Sequence, residues 1–177
     1  MTGGSVLLEG PPATAIRFVD DGRIPNNHLP LLHYARALAT PSAEGMEALL
    51  NANDWPPRWR ASIFTYHHYH STAHEVLGVA SGDAWVLMGG PKGRELKIRA
   101  GDVVVIPAGV GHCRLSSSSD FLVVGGYPPG QDWDLLRGRD GERPRADRNI
   151  AAVKVPATDP VFGAKGPLLD VWGTEAP

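Results

Sequence analysis

The sequence predicts an all-β protein, a sandwich or small barrel of short strands. Three observations predict it. The 177 residues include 21 Gly and 16 Pro, too many breakers for a helical bundle. From residue 61 onward, short runs of β-branched, aromatic and aliphatic residues are separated by glycine and proline. A hydrophobic fraction of 42% with a net charge of -2 suits one globular domain and argues against disorder.

Residues 1–60 read as an N-terminal extension that packs on the barrel. Ala13 to Val19 alternates weakly and suits a strand, and Leu29 to Leu38 suits a short helix. A second helix is expected from Pro41 to about Asn53, with Thr40 as its cap, Pro41 in the first position and Glu44 near the positive end. Met46, Leu49 and Leu50 share one face of it, and Trp55-Pro56-Pro57 ends it. Residues 61–127 form the barrel core. Strands are predicted at Ser62–Tyr66, His74–Ala80, Ala84–Met88, Glu95–Ile98, Val103–Ile106, His112–Leu115 and Phe121–Gly125. Residues 128–177 pack on that core. Within them, 131–149 carry five acidic side chains and five arginines, which suits a solvated excursion, a lid or an oligomer contact. Ile150–Val155 suits a returning strand, and Asp159 to Trp172 mixes Gly, Pro and large apolar residues that can pack on the barrel.

Composition also excludes several classes. The slightly acidic balance argues against a nucleic-acid partner held by bulk charge, and no helix-turn-helix stands out in residues 1–60. No run approaches the roughly 18 apolar residues of a membrane helix. The start, MTGGSVLLEGPP, lacks the basic and apolar regions of a secretory leader, so a soluble cytoplasmic protein is expected. The single cysteine, Cys113, excludes an intrachain disulfide and a cysteine-rich zinc site, and suits a small buried apolar role.

Five of the seven histidines lie between residues 67 and 112, and four fall within Tyr66-His67-His68-Tyr69-His70-Ser71-Thr72-Ala73-His74-Glu75. On an extended chain His68 and His70 face one side, roughly 6.6 Å apart along the backbone, while His67 and Tyr69 face the other. Glu75 follows a turn-like stretch and can return opposite the pair. Two imidazoles beside a carboxylate form a common ligand set for Fe, Mn, Ni, Cu or Zn. His74 has the opposite parity and reads as a surface histidine or a support for the ligands. His67 reads as packed outside the barrel, and His28 and His33 as ordinary.

These residues resemble the two motifs of the cupins. The first motif, G-x5-H-x-H-x4-E-x6-G, is met by His68, His70, Glu75 and Gly82. The second, G-x5-P-x-G-x2-H-x3-N, is met by Gly101, Pro107, Gly109 and His112. Ser62 stands in place of the first glycine and Ser116 in place of the last asparagine. The stretches HYHSTAHEVLGV, IPAGVGH, VVGGYPPGQDWD and DPVFGAKGPL are similar to the YjlB-like cupins of bacteria. The resemblance implies a double-stranded β-helix, or jelly-roll barrel, with short N-terminal helices. It also implies one divalent transition metal bound by His68, His70, Glu75 and His112. Such a set leaves one or two positions open, as a catalytic metal needs.

Two further residues are candidates for the substrate pocket. Arg114 shares the parity of His112 and needs an anionic partner if buried, either a substrate carboxylate or phosphate or a protein carboxylate. Tyr66 shares the parity of His68, and Phe64 continues that face as core. The expected function is a small-molecule metalloenzyme, dioxygenase-like or isomerase-like. The alternative is a barrel that binds or senses a sugar or organic acid without turning it over. A homodimer is expected by analogy with the family.

Overall fold

In the computed structural model, residues 13–173 are described, so the reading of MTGGSVLLEGPP as lacking a leader lies outside them. Among the described residues, nine strands form two antiparallel sheets, and three short helices pack around them. The strands are β1 (Thr14–Ile16), β2 (Leu31–Tyr34), β3 (Pro57–Ala61), β4 (Glu75–Ser81), β5 (Asp83–Met88), β6 (Arg94–Arg99), β7 (Val103–Ile106), β8 (His112–Ser117) and β9 (Leu122–Gly126). The helices are α1 (Ala43–Ala52), α2 (Arg145–Ala152) and α3 (Pro167–Gly173). The large sheet runs β1-β2-β7-β4-β9-β3 and the small sheet β6-β5-β8. The predicted two-motif barrel is the one found.

The large sheet is covered on both faces, so its central strands read as continuous apolar runs rather than alternating ones. All of β7, Val103 to Ile106, is buried. Leu77, Val79, Val104, Ile106 and Val123 point between the sheets, where they meet Val86, Met88 and Ile98 of the small sheet. Val76, Val103, Val105 and Val124 point the other way, against Met46 and Leu50 of α1 and Leu168 and Trp172 of α3. Glu75 belongs to the inward set by the same alternation.

Four local expectations are corrected. Leu29–Leu38 is not a helix: β2 pairs with β1 and β7, sending Leu31 to one core and Leu32 and Tyr34 to the other. α1 starts later than expected, because Ser42 is extended and its Oγ accepts the Gly45 amide at 2.9 Å. Thr40 and Pro41 therefore stand outside the helix. Ser62–Tyr66 is not a strand; the edge of the large sheet is instead β3, paired with β9. Ile150 lies in α2 rather than in a strand, with Ala146 as the buried residue of that helix.

No helix among the described residues is long and apolar enough to cross a membrane. Cys113 is free and buried, and burial pushes its thiol pKa up. Trp85 points outward beneath Lys97, and Phe64, expected in the core, is half exposed.

Candidate metal centre

Glu75 opens β4 and His112 opens β8, so the two sheets bring them face to face between the layers. The turn Pro107-Ala108-Gly109 returns the chain from β7 toward β8. Gly109 has φ +89°, and a Cβ there would meet the Asn26 carbonyl oxygen at 2.5 Å, so a side chain is excluded twice over. His68 lies outside the regular strands but bridges to His112: each backbone amide donates to the other's carbonyl, at 3.2 and 2.9 Å. The Gly109 amide donates to the His70 carbonyl at 2.7 Å. The chain is extended here, so His68 and His70 turn inward while Tyr69 turns away, its hydroxyl donating to Glu142 at 2.8 Å.

One ring nitrogen from each of His68, His70 and His112 lies within 4.8 Å of the others, and all three residues are buried. Glu75 completes the group. Its Oε2 is 3.1 Å from His70 Nε2, and its Oε1 is 3.2 Å from His112 Nε2. On the far side of each ring, Nδ1 faces a backbone carbonyl: Tyr66 at 3.0 Å for His68, Val110 at 3.1 Å for His112, and Asp134 for His70. A carbonyl can only accept, so each Nδ1 carries a proton, and wherever the ring is neutral Nε2 is left as a lone pair. Nitrogen lone pairs then face carboxylate lone pairs at about hydrogen-bond distance. Protons on the rings or a bound cation can relieve that arrangement. A proton on His70 would satisfy one pair, whereas a divalent ion satisfies the whole donor set, so the residues present fit a metal.

The charges behave accordingly. Burial drives the His68 pKa down to about 3, helped by the neighbouring His112, so that ring stays neutral. Burial also pulls His70 down, but the charge and hydrogen bond of Glu75 outweigh it, and the net direction is up. Burial would raise the Glu75 pKa, yet His70 and His112 hold it well below the usual carboxylate range. Glu75 Oε2 also accepts from the Tyr127 hydroxyl at 2.8 Å, and that hydroxyl accepts from Trp59 Nε1 at 3.0 Å. Burial, reinforced by the Glu75 charge, pushes the Tyr127 phenol up. Trp59 reaches this position because Gly125 has no side chain: a Cβ there would lie 2.0 Å from the indole.

A cavity of about 280 Å³ opens beside the four residues. Trp133 and Leu135, from the charged excursion, form part of its wall. The same stretch is strapped to the histidine segment by the Asp134 carboxylate, which accepts from the Ser71 amide at 2.6 Å and from its hydroxyl. Tyr127, Trp59, Trp133 and Asp134 are site residues that sequence reasoning missed. For Tyr127 a signal existed: counting by twos from inward Val123 passes through Gly125 to Tyr127.

Arg114 and Tyr66 take other places. Arg114 Nε donates to the Ile63 carbonyl at 3.0 Å and Nη1 to Ser117 Oγ at 2.8 Å, which ties the 62–66 loop to β8. These partners are neutral oxygens rather than a carboxylate. Tyr66 stacks on Phe64 and carries the Arg137 guanidinium 3.8 Å above its ring. Neither side chain belongs to the cavity wall. His74 is buried rather than at the surface, with Nδ1 accepting from the Ala108 amide at 2.9 Å and its ring against Trp172. His33 pairs with Asp102 at 2.9 Å.

Among solved structures, similarity extends to a DUF861 family protein of Thermotoga maritima, at 21% identity over 50% of this chain and 93% of that one, with a TM-score of 0.33. It extends to acireductone dioxygenase from Bacillus anthracis with a cadmium ion in its active centre, at 17% identity over 60% and 54% of the two chains, TM-score 0.33. RmlC from Streptococcus suis, in complex with dTDP-D-xylose, matches at 16% identity over 92% and 94%, TM-score 0.33. In sequence, the chain is 45% identical over 156 residues to the uncharacterized protein YjlB of Bacillus subtilis (strain 168), covering 88% of this chain and 93% of that one. Residues 65–128, the stretch that supplies all four candidate ligands, match the family model described as Cupin, and with that near full-length kinship the chain belongs to the cupins.

Proposed function

We propose that this protein is a metal-dependent enzyme acting on a small molecule, with one divalent transition metal held by His68, His70, Glu75 and His112. The observation that carries this reading is the convergence of three buried imidazoles on the Glu75 carboxylate, each ring fixed from behind by a backbone carbonyl. When bound, such a metal supplies Lewis-acid polarisation of a substrate oxygen and, if it is redox-active, electron transfer. The chain's own part is to orient the rings, keep water out with an aromatic wall, and admit a ligand through the adjoining cavity.

Oxidative chemistry suits the site better than isomerisation. An isomerase needs a base beside the substrate that is free to take a proton. Among the described residues, Glu75 is the only carboxylate of the cavity wall, and every histidine there is one of the three candidate ligands. The Tyr127 phenol is held protonated by burial and by Glu75. The test is metal loading with Fe, Mn, Co, Ni, Cu and Zn in turn, followed by oxygen uptake with candidate substrates. We expect one ion per chain and turnover with a redox-active metal only. A folded His70→Ala variant should lose most of its metal; full occupancy in that variant would overturn the assignment.

A further inference from the structure

The cavity beside the four candidate ligands is segregated by polarity. Its polar atoms gather at the imidazoles, the Glu75 carboxylate and the Tyr127 hydroxyl, apart from Ser62 at the exposed edge. The remaining wall is built largely of Trp59, Ile63, Phe64, Leu77, Trp133 and Leu135, and among the described residues no lysine, arginine, asparagine or glutamine lines it. Arg114, Arg58 and Arg137 touch residues around this rim, and each already has a partner: the Ile63 carbonyl and Ser117, the Trp133 ring, and the Tyr66 ring. The Tyr127 hydroxyl is committed too, donating to Glu75 and accepting from Trp59.

We infer that the site takes a flat, largely apolar molecule of one or two rings' size that presents neighbouring oxygen atoms to the centre, of the ortho-diphenol or enolised-diketone type. This rests on the metal reading above. Each hydroxyl of a sugar would need a hydrogen-bond partner, and this wall supplies almost none, so burying a polyol here is costly. A phosphate dianion would meet no lysine or arginine in the described wall itself, since the Arg58 guanidinium lies over the Trp133 ring. Size agrees, since a cavity of roughly 150 Å³ holds benzene and this one is about 280 Å³. Shape agrees as well: Tyr127 and Trp133 are stacked at 4.3 Å and nearly parallel, a rigid aromatic edge against which a planar ligand packs.

The experiment is anaerobic titration of the Co(II)-loaded protein with catechol, ribose 5-phosphate and glucose, followed by the visible Co(II) bands and by calorimetry. Catechol should shift the bands and bind at least 100-fold more tightly than either sugar. Leu135→Arg, at a position exposed enough to tolerate the change, and Trp133→Ala should each weaken catechol at least 10-fold while Co(II) uptake is retained. Co(II) uptake with equal or better binding of ribose 5-phosphate or glucose would overturn the inference alone. So would unchanged catechol affinity in both variants. A folded protein that takes up no Co(II) would overturn the metal reading, and this inference with it.

Discussion

The Tyr127 hydroxyl fixes one oxygen of Glu75, and Trp59 fixes the hydroxyl in turn. Partners of this kind orient a ligand without touching the metal, and their loss usually costs 10–100-fold in metal affinity. Tyr127→Phe should therefore bind Co(II) about 10-fold more weakly in competition with a chelator, with the fold intact. Unchanged affinity would show that the histidines alone hold Glu75 in place. Asp102 offers a separate test of single-residue physics, away from the centre. Burial would raise its pKa, but the bonds from His33 and from the Arg36 and Arg99 amides outweigh burial, and the net direction is down. A carboxyl depressed by folding adds stability that is full above its ordinary value of 3.8 and is lost as the pH falls through the folded value. Asp102→Asn should thus be less stable than wild type by about 1–3 kcal/mol near neutrality, because one buried amide loses its acceptor. The gap should narrow below the ordinary carboxyl range. A gap that stays constant down to pH 3, measured by denaturant unfolding, would exclude the linkage.

Elements were legible where local pattern and tertiary demand agree. β4 to β9 fall close to their expected ends because apolar runs there are bounded by glycine and proline. The His68 and His70 pair was legible because the extended chain separates them from Tyr69 by simple alternation, whereas His112 came from the resemblance to the second cupin motif. Alternation placed Tyr66 beside Phe64 and His68, where its ring lies, but 62–66 is a loop held to β8 through Arg114, and Tyr66 does not line the cavity. The role of the charged excursion was not legible because its contacts are long-range: Asp134 meets His70 and Ser71 across more than 60 residues of sequence. That stretch acts as one element, with Trp133 and Leu135 on the cavity and Asp134 on the histidine segment. Asp134→Ala removes both bonds to Ser71, each charge-assisted and worth about 1.5–3 kcal/mol at most. We expect a melting temperature lower by roughly 6–24 °C at most and weaker Co(II) binding, because the carbonyl that orients His70 loses its anchor. A lower melting temperature with unchanged metal affinity would separate the strap from the centre.

At the scale of the whole molecule, the two cores divide the labour. The one between the sheets holds the centre, and the one beneath the large sheet braces it from outside through α1 and α3. Trp172 is the junction. It is fully buried, its Nε1 donates to the Pro30 carbonyl at 2.9 Å, and its ring packs 4.8 Å from that of His74, the residue before Glu75. The C-terminal helix therefore leans on the N-terminal segment and on the strand that carries the carboxylate. Removing a buried tryptophan typically costs 3–5 kcal/mol, against a total stability of about 5–15 kcal/mol. For a chain of this size each kcal/mol moves the melting temperature by about 2–4 °C. Trp172→Ala should accordingly melt roughly 6–20 °C lower than wild type. Trp172→Phe, which keeps most of the packing and loses the bond to Pro30, should fall by less. If the brace transmits to the site, Co(II) affinity will drop in the alanine variant even at temperatures where it is fully folded. A melting temperature within about 2 °C of wild type, less than the ~1 kcal/mol that a single lost contact produces, would show that α3 lies outside the cooperative unit.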